Sequence, residues 1–96
     1  MYVKIHDSKG RKVIAVCDED ILGKKFEEGD LFLNVSEDFY KGEKKNEKEV
    51  EEMLKEAENV NLSGKKAMSI ALKLKIINKE NVIKIKGVPH AQLILL

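Results

Sequence analysis

The sequence predicts an α+β fold, in which a single largely antiparallel sheet of about five strands carries two helices packed on one face. Alternating apolar and polar residues predict strands toward both ends of the chain, and two amphipathic stretches between them predict helices. Strands that are grouped apart from helices are typical of α+β folds rather than of alternating βαβ units. The length of 96 residues suits one domain, residues 1–96.

The first half of the chain holds three predicted strands joined by turns. The nearly continuous apolar run at 13–17 predicts a central strand that is covered on both faces, and turn residues at 7–10 precede it. A hairpin with this turn places Cys17 opposite residue 2 and away from His6. Residues 18–30 are irregular, with Phe26 as the expected anchor. The predicted strands are residues 1–5, 13–17 and 31–35.

The second half holds both predicted helices and two further strands. Asn46 and Glu49 form a capping box that opens the first helix after a polar loop at 41–46. Ser63 is the candidate N-cap of the second helix, which is expected to end near Ile76. The apolar residues that recur at helical spacing are Val50, Met53, Leu54 and Ala57, then Ala67, Ile70, Ala71 and Leu74. Residues 82–86 and 91–96 are predicted strands, joined by a turn at 87–90.

Charge is segregated along the chain although the net charge is only +1. Residues 1–17 sum to +3, residues 18–58 to −8 and residues 59–96 to +6. Abundant Lys and Glu with scarce Gln is typical of hyperthermophilic proteins, which explains the lysines without any ligand. The asymmetry can also mark an anionic partner for the basic segments, or attraction between the two halves of one fold.

The composition favours a cytoplasmic protein. No run of 18 apolar residues is present, and the N-terminus lacks a basic stretch followed by an apolar one, so neither a membrane partner nor export is expected. The single cysteine excludes an internal disulfide and fits a reducing compartment.

No metal and no cofactor is predicted. The soft or imidazole ligands are Cys17, His6 and His90, whereas a structural zinc site takes four ligands. In the expected hairpin, Cys17 and His6 are separated by roughly 13 Å.

Cys17 is nevertheless a candidate nucleophile, because it ends a strand and His90 could act as its base. The simpler interpretation is a buried cysteine that packs as a small hydrophobe.

A candidate anion site comprises Asn61, Ser63, Gly64, Lys65 and Lys66. It is not a P-loop, because Asn59 and Lys66 stand where that motif requires Gly and Ser or Thr. A helix N-terminus nevertheless binds anions through its free N–H groups, and glycine permits close approach. The alternative is an ordinary solvated face of a lysine-rich protein.

A candidate ligand or partner site lies where the end of the second strand meets the turn before the last one. Its residues are Cys17, Asp18, Gly87, Pro89, His90 and Gln92. Proline stiffens the predicted turn, and a stiff turn holds a neighbouring imidazole and amide in fixed directions. The alternative is that His90 caps a backbone carbonyl and the turn merely joins two strands.

These features favour a non-enzymatic binding module, with RNA or a ribosome-related protein as the expected partner. Arg11 is the only arginine and tryptophan is absent, so no reading of DNA sequence is expected, and RNA contacts would be lysine–phosphate pairs. The alternatives are a small thiol-dependent enzyme using Cys17, and a structural subunit or homodimer that docks through the apolar end at 93–96.

Three segments resemble a known family. They are residues 15–30, the string Asn61-Leu-Ser-Gly64, and residues 80–92 with the string Gly-Val-Pro-His-Ala-Gln. They are similar to the archaeal family catalogued as domain of unknown function family 424. The resemblance implies an archaeal cytoplasmic protein of this size, and it brings no established activity.

Overall fold

A computed structural model of the chain describes residues 1–94, apart from the side chain of Ser8. Strands and helices alternate irregularly along it, and 3-10 turns at Glu19–Ile21 and Lys79–Asn81 complete the backbone. The strands are β1 (Tyr2–Ser8), β2 (Arg11–Cys17), β3 (Lys25–Glu28), β4 (Leu31–Asn34), β5 (Glu43–Lys44), β6 (Asn59–Ser63), β7 (Ile83–Ile85) and β8 (Val88–Ile94). The helices are α1 (Glu37–Tyr40), α2 (Glu47–Lys55) and α3 (Lys65–Lys73).

Six strands form one mixed sheet in the order β5-β1-β2-β6-β8-β7, while β3 and β4 form a separate two-stranded sheet. Strands β2 and β6 run parallel, and the other neighbours in the main sheet run antiparallel. The α+β class is confirmed. The prediction of one largely antiparallel sheet of about five strands with two helices is wrong in its detail, because the sheet is mixed, a second sheet exists and a third helix is present.

The missed strand β6 accounts for the mixed character of the sheet, because it pairs parallel with β2. Its sequence, Asn59-Val-Asn-Leu-Ser63, has polar residues at every second position and lies directly before a helix. From sequence alone it therefore resembles the loop that precedes a helix. In the structure Val60 and Leu62 point into the core beneath the helices, while Asn61 and Ser63 are buried on the other face. Both faces of this central strand are covered, so its polar side chains must find hydrogen bonds inside the protein.

Different elements cover the two faces of the main sheet. Helices α2 and α3 pack on one face, as predicted, over a core that includes Val16, Leu62 and Ile70. The β3–β4 hairpin and α1 pack on the opposite face, over a second core that includes Cys17 and Tyr40. This opposite face, hereafter the hairpin face, carries every sequence-predicted imidazole and thiol group.

The start of α2 and the first hairpin agree with the sequence prediction, whereas the start of α3 does not. The capping box of Asn46 and Glu49 is confirmed, since each side chain accepts a hydrogen bond from the other residue's backbone N–H. The predicted register is also confirmed, because Cys17 pairs with Tyr2. The N-cap prediction for Ser63 is wrong, because the N-cap of α3 is Gly64.

The predicted turn at 87–90 is also wrong. The chain turns at Lys86 and Gly87, which both have positive φ, and Val88 already belongs to β8. Pro89, the second residue of β8, is tolerated because β6 ends at Ser63, which pairs with His90, so no residue of β6 needs the N–H that proline lacks. The carbonyl of Pro89 accepts a hydrogen bond from Gly64 N at 2.9 Å. Of the apolar end at 93–96, Leu93 is half-buried and Ile94 exposed, and the rest lies outside the described residues.

Candidate functional site

The candidate partner site is organised by a row of three side chains across the hairpin face. Cys17 on β2 pairs with Ser63 on β6, and Ser63 pairs in turn with His90 on β8. Neighbouring strands are about 4.8 Å apart, so the Cα atoms of Cys17 and His90 are separated by roughly 10 Å. The two residues therefore lie in one row with a whole strand between them, rather than meeting across a turn.

A buried hydrogen-bond network joins this row to α1. The hydroxyl of Tyr40 donates to Asn61 Oδ1, and its oxygen lies 2.9 Å from Ser63 Oγ. Ser63 Oγ lies a further 2.9 Å from His90 Nδ1. Tyr40 is 2% and Ser63 0% exposed, whereas His90 is only half-buried, so the network runs from the core to the surface. Nothing in the local sequence of Tyr40 marks it as more than a core aromatic.

Electrostatics disfavour a reactive cysteine. Burial, reinforced by the carboxylate of Asp18, raises the pKa of the Cys17 thiol to about 12. Burial also lowers the pKa of His90, which keeps its imidazole neutral at pH 7. A thiolate–imidazolium pair therefore does not form at neutral pH, and no observation supports the thiol-dependent alternative.

Asp18 has a structural partner at the N-terminus of α3. Its two carboxylate oxygens accept hydrogen bonds from the backbone N–H groups of Lys66 and Ala67, each at 2.9 Å. A side chain that follows β2, far away in the sequence, thus performs the role of an N-cap for α3. Gly64 is required beside it, because its φ is 111° and an added Cβ would lie 2.6 Å from Asp18 Oδ1.

The five residues of the candidate anion site do not converge. Asn61 and Ser63 lie in the buried network on the hairpin face, and Gly64 N is bonded to the carbonyl of Pro89. The amides of α3 that an anion would use are bonded to Asp18. Lys65 and Lys66 are exposed, and only these two keep charge available for a ligand at this point.

A basic groove lies instead between α3 and the β7 edge of the sheet. Its volume is about 540 Å³, and Lys65, Lys79 and Lys84 surround an apolar floor. The remaining lining residues are Met68, Ser69, Leu72, Val82, Gly87 and Pro89. None of the described residues that line it is acidic. The sequence signal that could have located this groove is the +6 charge of residues 59–96, although that signal does not say which lysines converge.

Within residues 1–94 no group of three or more His, Cys, Asp or Glu side chains is placed to hold a metal ion. His6 lies apart from the row described above, stacked on Phe39 with its Nε2 2.7 Å from the carbonyl of that residue. None of the helices described is both long and apolar enough to cross a membrane.

Comparison with known proteins places this fold and its residues in a family. A crystal structure of an uncharacterized conserved protein from Methanopyrus kandleri is similar over 99% of this chain and 90% of its own, with 29% identity and a TM-score of 0.79. No curated protein matches the chain. The resemblance carried by residues 15–30, 61–64 and 80–92 is confirmed. The family model described as "Protein of unknown function (DUF424)" matches residues 6–96, and the chain belongs to that family.

Proposed function

We propose that this protein is a non-catalytic binding module for RNA, and that the basic groove holds phosphate groups of the RNA backbone. The single observation that carries the proposal is the convergence of Lys65, Lys79 and Lys84 on one concavity without any acidic lining residue. Clusters of lysine on one face provide the electrostatic footprint of nucleic-acid binding.

The charges of the groove are available to a ligand. The ion pairs within residues 1–94 involve other cations, such as Lys44, Lys45 and Lys73, and none involves a groove lysine. All three groove lysines are exposed. An ammonium group that has no internal partner retains its full attraction for a phosphate, and binding releases the counterions condensed on the RNA.

The shape of the groove favours a flexible single strand. Its floor is apolar but contains no aromatic ring, and it consists of Met68, Leu72, Val82 and Pro89. RNA bases can therefore make apolar contacts with the floor but cannot stack on an aromatic side chain there. Lysine is a point charge without the bidentate geometry of arginine. The groove itself is therefore expected to bind RNA with strong salt dependence and little sequence preference.

Fluorescence anisotropy with a short single-stranded RNA tests the proposal. Three phosphate contacts on a single strand predict a log–log salt slope of roughly −2, and hence a loss of roughly 20-fold in affinity between about 50 and 200 mM salt. The triple variant Lys65→Gln, Lys79→Gln, Lys84→Gln should bind weakly, with a slope near zero.

The matched control replaces Lys24, Lys41 and Lys48 with glutamine. These lysines are exposed, lie in the acidic part of the chain and do not line the groove. Because three lysines are replaced in both triple variants, the net charge changes equally. The control should bind nearly as the unmodified protein does. Equal losses in both triple variants would show that net charge and not the groove attracts RNA, and absence of RNA binding by the unmodified protein would overturn the proposal.

A further inference from the structure

The buried network on the hairpin face fixes the position of each of its protons. Tyr40 has one hydroxyl proton and donates it to Asn61 Oδ1, which can only accept. The Tyr40 oxygen must therefore accept the proton of Ser63, 2.9 Å away. Since the proton of Ser63 is then committed, Ser63 Oγ must accept from Nδ1–H of His90, also at 2.9 Å.

This order leaves Nε2 of His90 as a hydrogen-bond acceptor. A neutral imidazole carries one proton, so Nε2 presents a lone pair when Nδ1 is the donor. The side-chain hydrogen bonds of the described residues include none to Nε2, and these residues contain no buried side-chain nitrogen or oxygen without a partner. The ring also donates to the backbone of Leu62, and because a neutral imidazole has one proton, that bond shares Nδ1–H with Ser63. Nε2 therefore reaches the solvent, with its direction set by the bonds of Nδ1.

The neighbours of His90 on the hairpin face suit a planar ligand with hydrogen-bonding edges. Gln92 lies two residues along β8 on the same face, roughly 7 Å away, and its side chain is exposed. Ile83 is directly opposite His90 on β7 and is 45% exposed, which provides an apolar surface. Gln92 also lines a depression of about 750 Å³ that contains Arg11 and Lys9.

The basic groove lies just across the edge strand β7 from this surface. Lys84 pairs with Pro89 on the groove side, and the next residue on each strand, Ile83 and His90, faces the hairpin side. Because β7 is only three residues long and forms the edge of the sheet, one extended strand can pass over it and contact both faces.

We propose that the surface formed by Ile83, His90 and Gln92 is a base-recognition site, in which an adenine or cytosine of the RNA donates its exocyclic amine to His90 Nε2. The Gln92 amide, which can both donate and accept, pairs with the remaining edge of the base. This inference rests on the proposed RNA-binding function and names what that function selects. Uracil presents a carbonyl oxygen where adenine and cytosine present the amine, so it would face a second acceptor.

The test compares labelled oligo(A), oligo(C) and oligo(U) in the anisotropy assay at one salt concentration. The unmodified protein should prefer oligo(A) and oligo(C) over oligo(U) by roughly tenfold, the discrimination expected of one good amide–base contact. Both His90→Asn and Gln92→Ala should remove the preference. Asn34→Ala, which truncates an exposed amide on β4, is the matched control and should retain it.

A second measurement does not depend on any variant folding. The ¹⁵N chemical shifts of the His90 ring in the unmodified protein should report the Nδ1–H tautomer, and Nε2 should shift on addition of oligo(C) but not of oligo(U). Equal affinity for the three homopolymers, a preference that survives both variants, or an Nε2–H tautomer would overturn the base site while leaving RNA binding by the groove intact. Failure of all three RNAs to bind would remove the proposed function and the base site together.

Discussion

Replacing Asp18 with alanine should uncap α3 from a distance. The variant removes both acceptors of the Lys66 and Ala67 N–H groups. Ala67 is fully buried, so its N–H cannot exchange the lost bond for water, whereas Lys66 is exposed and partly can.

The expected loss follows from these environments. An unsatisfied buried donor costs about 1–3 kcal/mol, and a bond that water replaces costs about 1 kcal/mol. Together they predict a loss of about 2–4 kcal/mol in the free energy of unfolding. For a domain of this size that corresponds to a decrease in Tm on the order of 10–20 °C.

Urea unfolding followed by circular dichroism measures this loss. Asp18→Asn keeps one acceptor oxygen and should fall between the alanine variant and the unmodified protein. Asp20→Ala truncates an exposed carboxylate two residues further on and should change stability by less than about 0.5 kcal/mol. If Asp18→Ala is as stable as Asp20→Ala, the carboxylate does not cap α3 and the reasoning is wrong.

Three further expectations concern the same region. Gly64→Ala should cost about 1–3 kcal/mol from its backbone conformation alone, and more in total because the added Cβ contacts Asp18. In urea titrations, the losses of the single variants Asp18→Ala and Gly64→Ala should therefore sum to more than the loss of the double variant. Simple additivity of the two losses would refute the contact. Tyr40→Phe should lose about 1–3 kcal/mol, because it leaves buried partners unsatisfied, whereas Tyr2→Phe should lose less than about 0.5 kcal/mol; equal losses in thermal melts would show that the network adds nothing. The unfolded Cys17 thiol ionises near pH 9.0, whereas the folded one ionises only near 12. The free energy of unfolding should therefore fall above pH 9.0, by at most about 1.4 kcal/mol per pH unit for this one thiol. This contribution is complete below pH 9.0 and is lost as pH rises toward 12, and Cys17→Ala should flatten the decline between pH 9 and 10; an unchanged slope in that variant would contradict the raised pKa.

The elements that could be predicted from sequence are those whose signal is local. The capping box of α2 depends on two residues three apart, and the register of the first hairpin depends on one turn. Strand β6 depends on long-range packing instead, because its polar alternation resembles a loop until both sheet faces are known to be covered. The same holds for Pro89, whose place in β8 is tolerated because β6 ends before it and requires no N–H from it.

The candidate site shows the same division between local and tertiary information. The strand-end position of Cys17 and the proline beside His90 are sequence features of the two outer residues of the row, but the Ser63 hydroxyl between them has no sequence signature. Capping of α3 by Asp18 links residues 48 positions apart, which no helix-start rule can anticipate. The lysines of the basic groove come from an α-helix, a 3-10 turn and a strand, so their convergence is a property of the tertiary fold.

The parallel pairing of β2 with β6 has a consequence for how the chain folds. Residues 18–58, which carry the −8 charge, must be spanned before the centre of the sheet can form. The hairpins β1–β2 and β7–β8 need only short loops and can close within microseconds, whereas joining β2 to β6 brings distant parts of the chain together. Closing that long loop is entropically costly, and it joins a segment of charge +3 to one of charge +6. The acidic residues between them offset the repulsion of the two basic segments. Charge segregation along this sequence thus allows two like-charged parts of the chain to meet at the centre of one sheet.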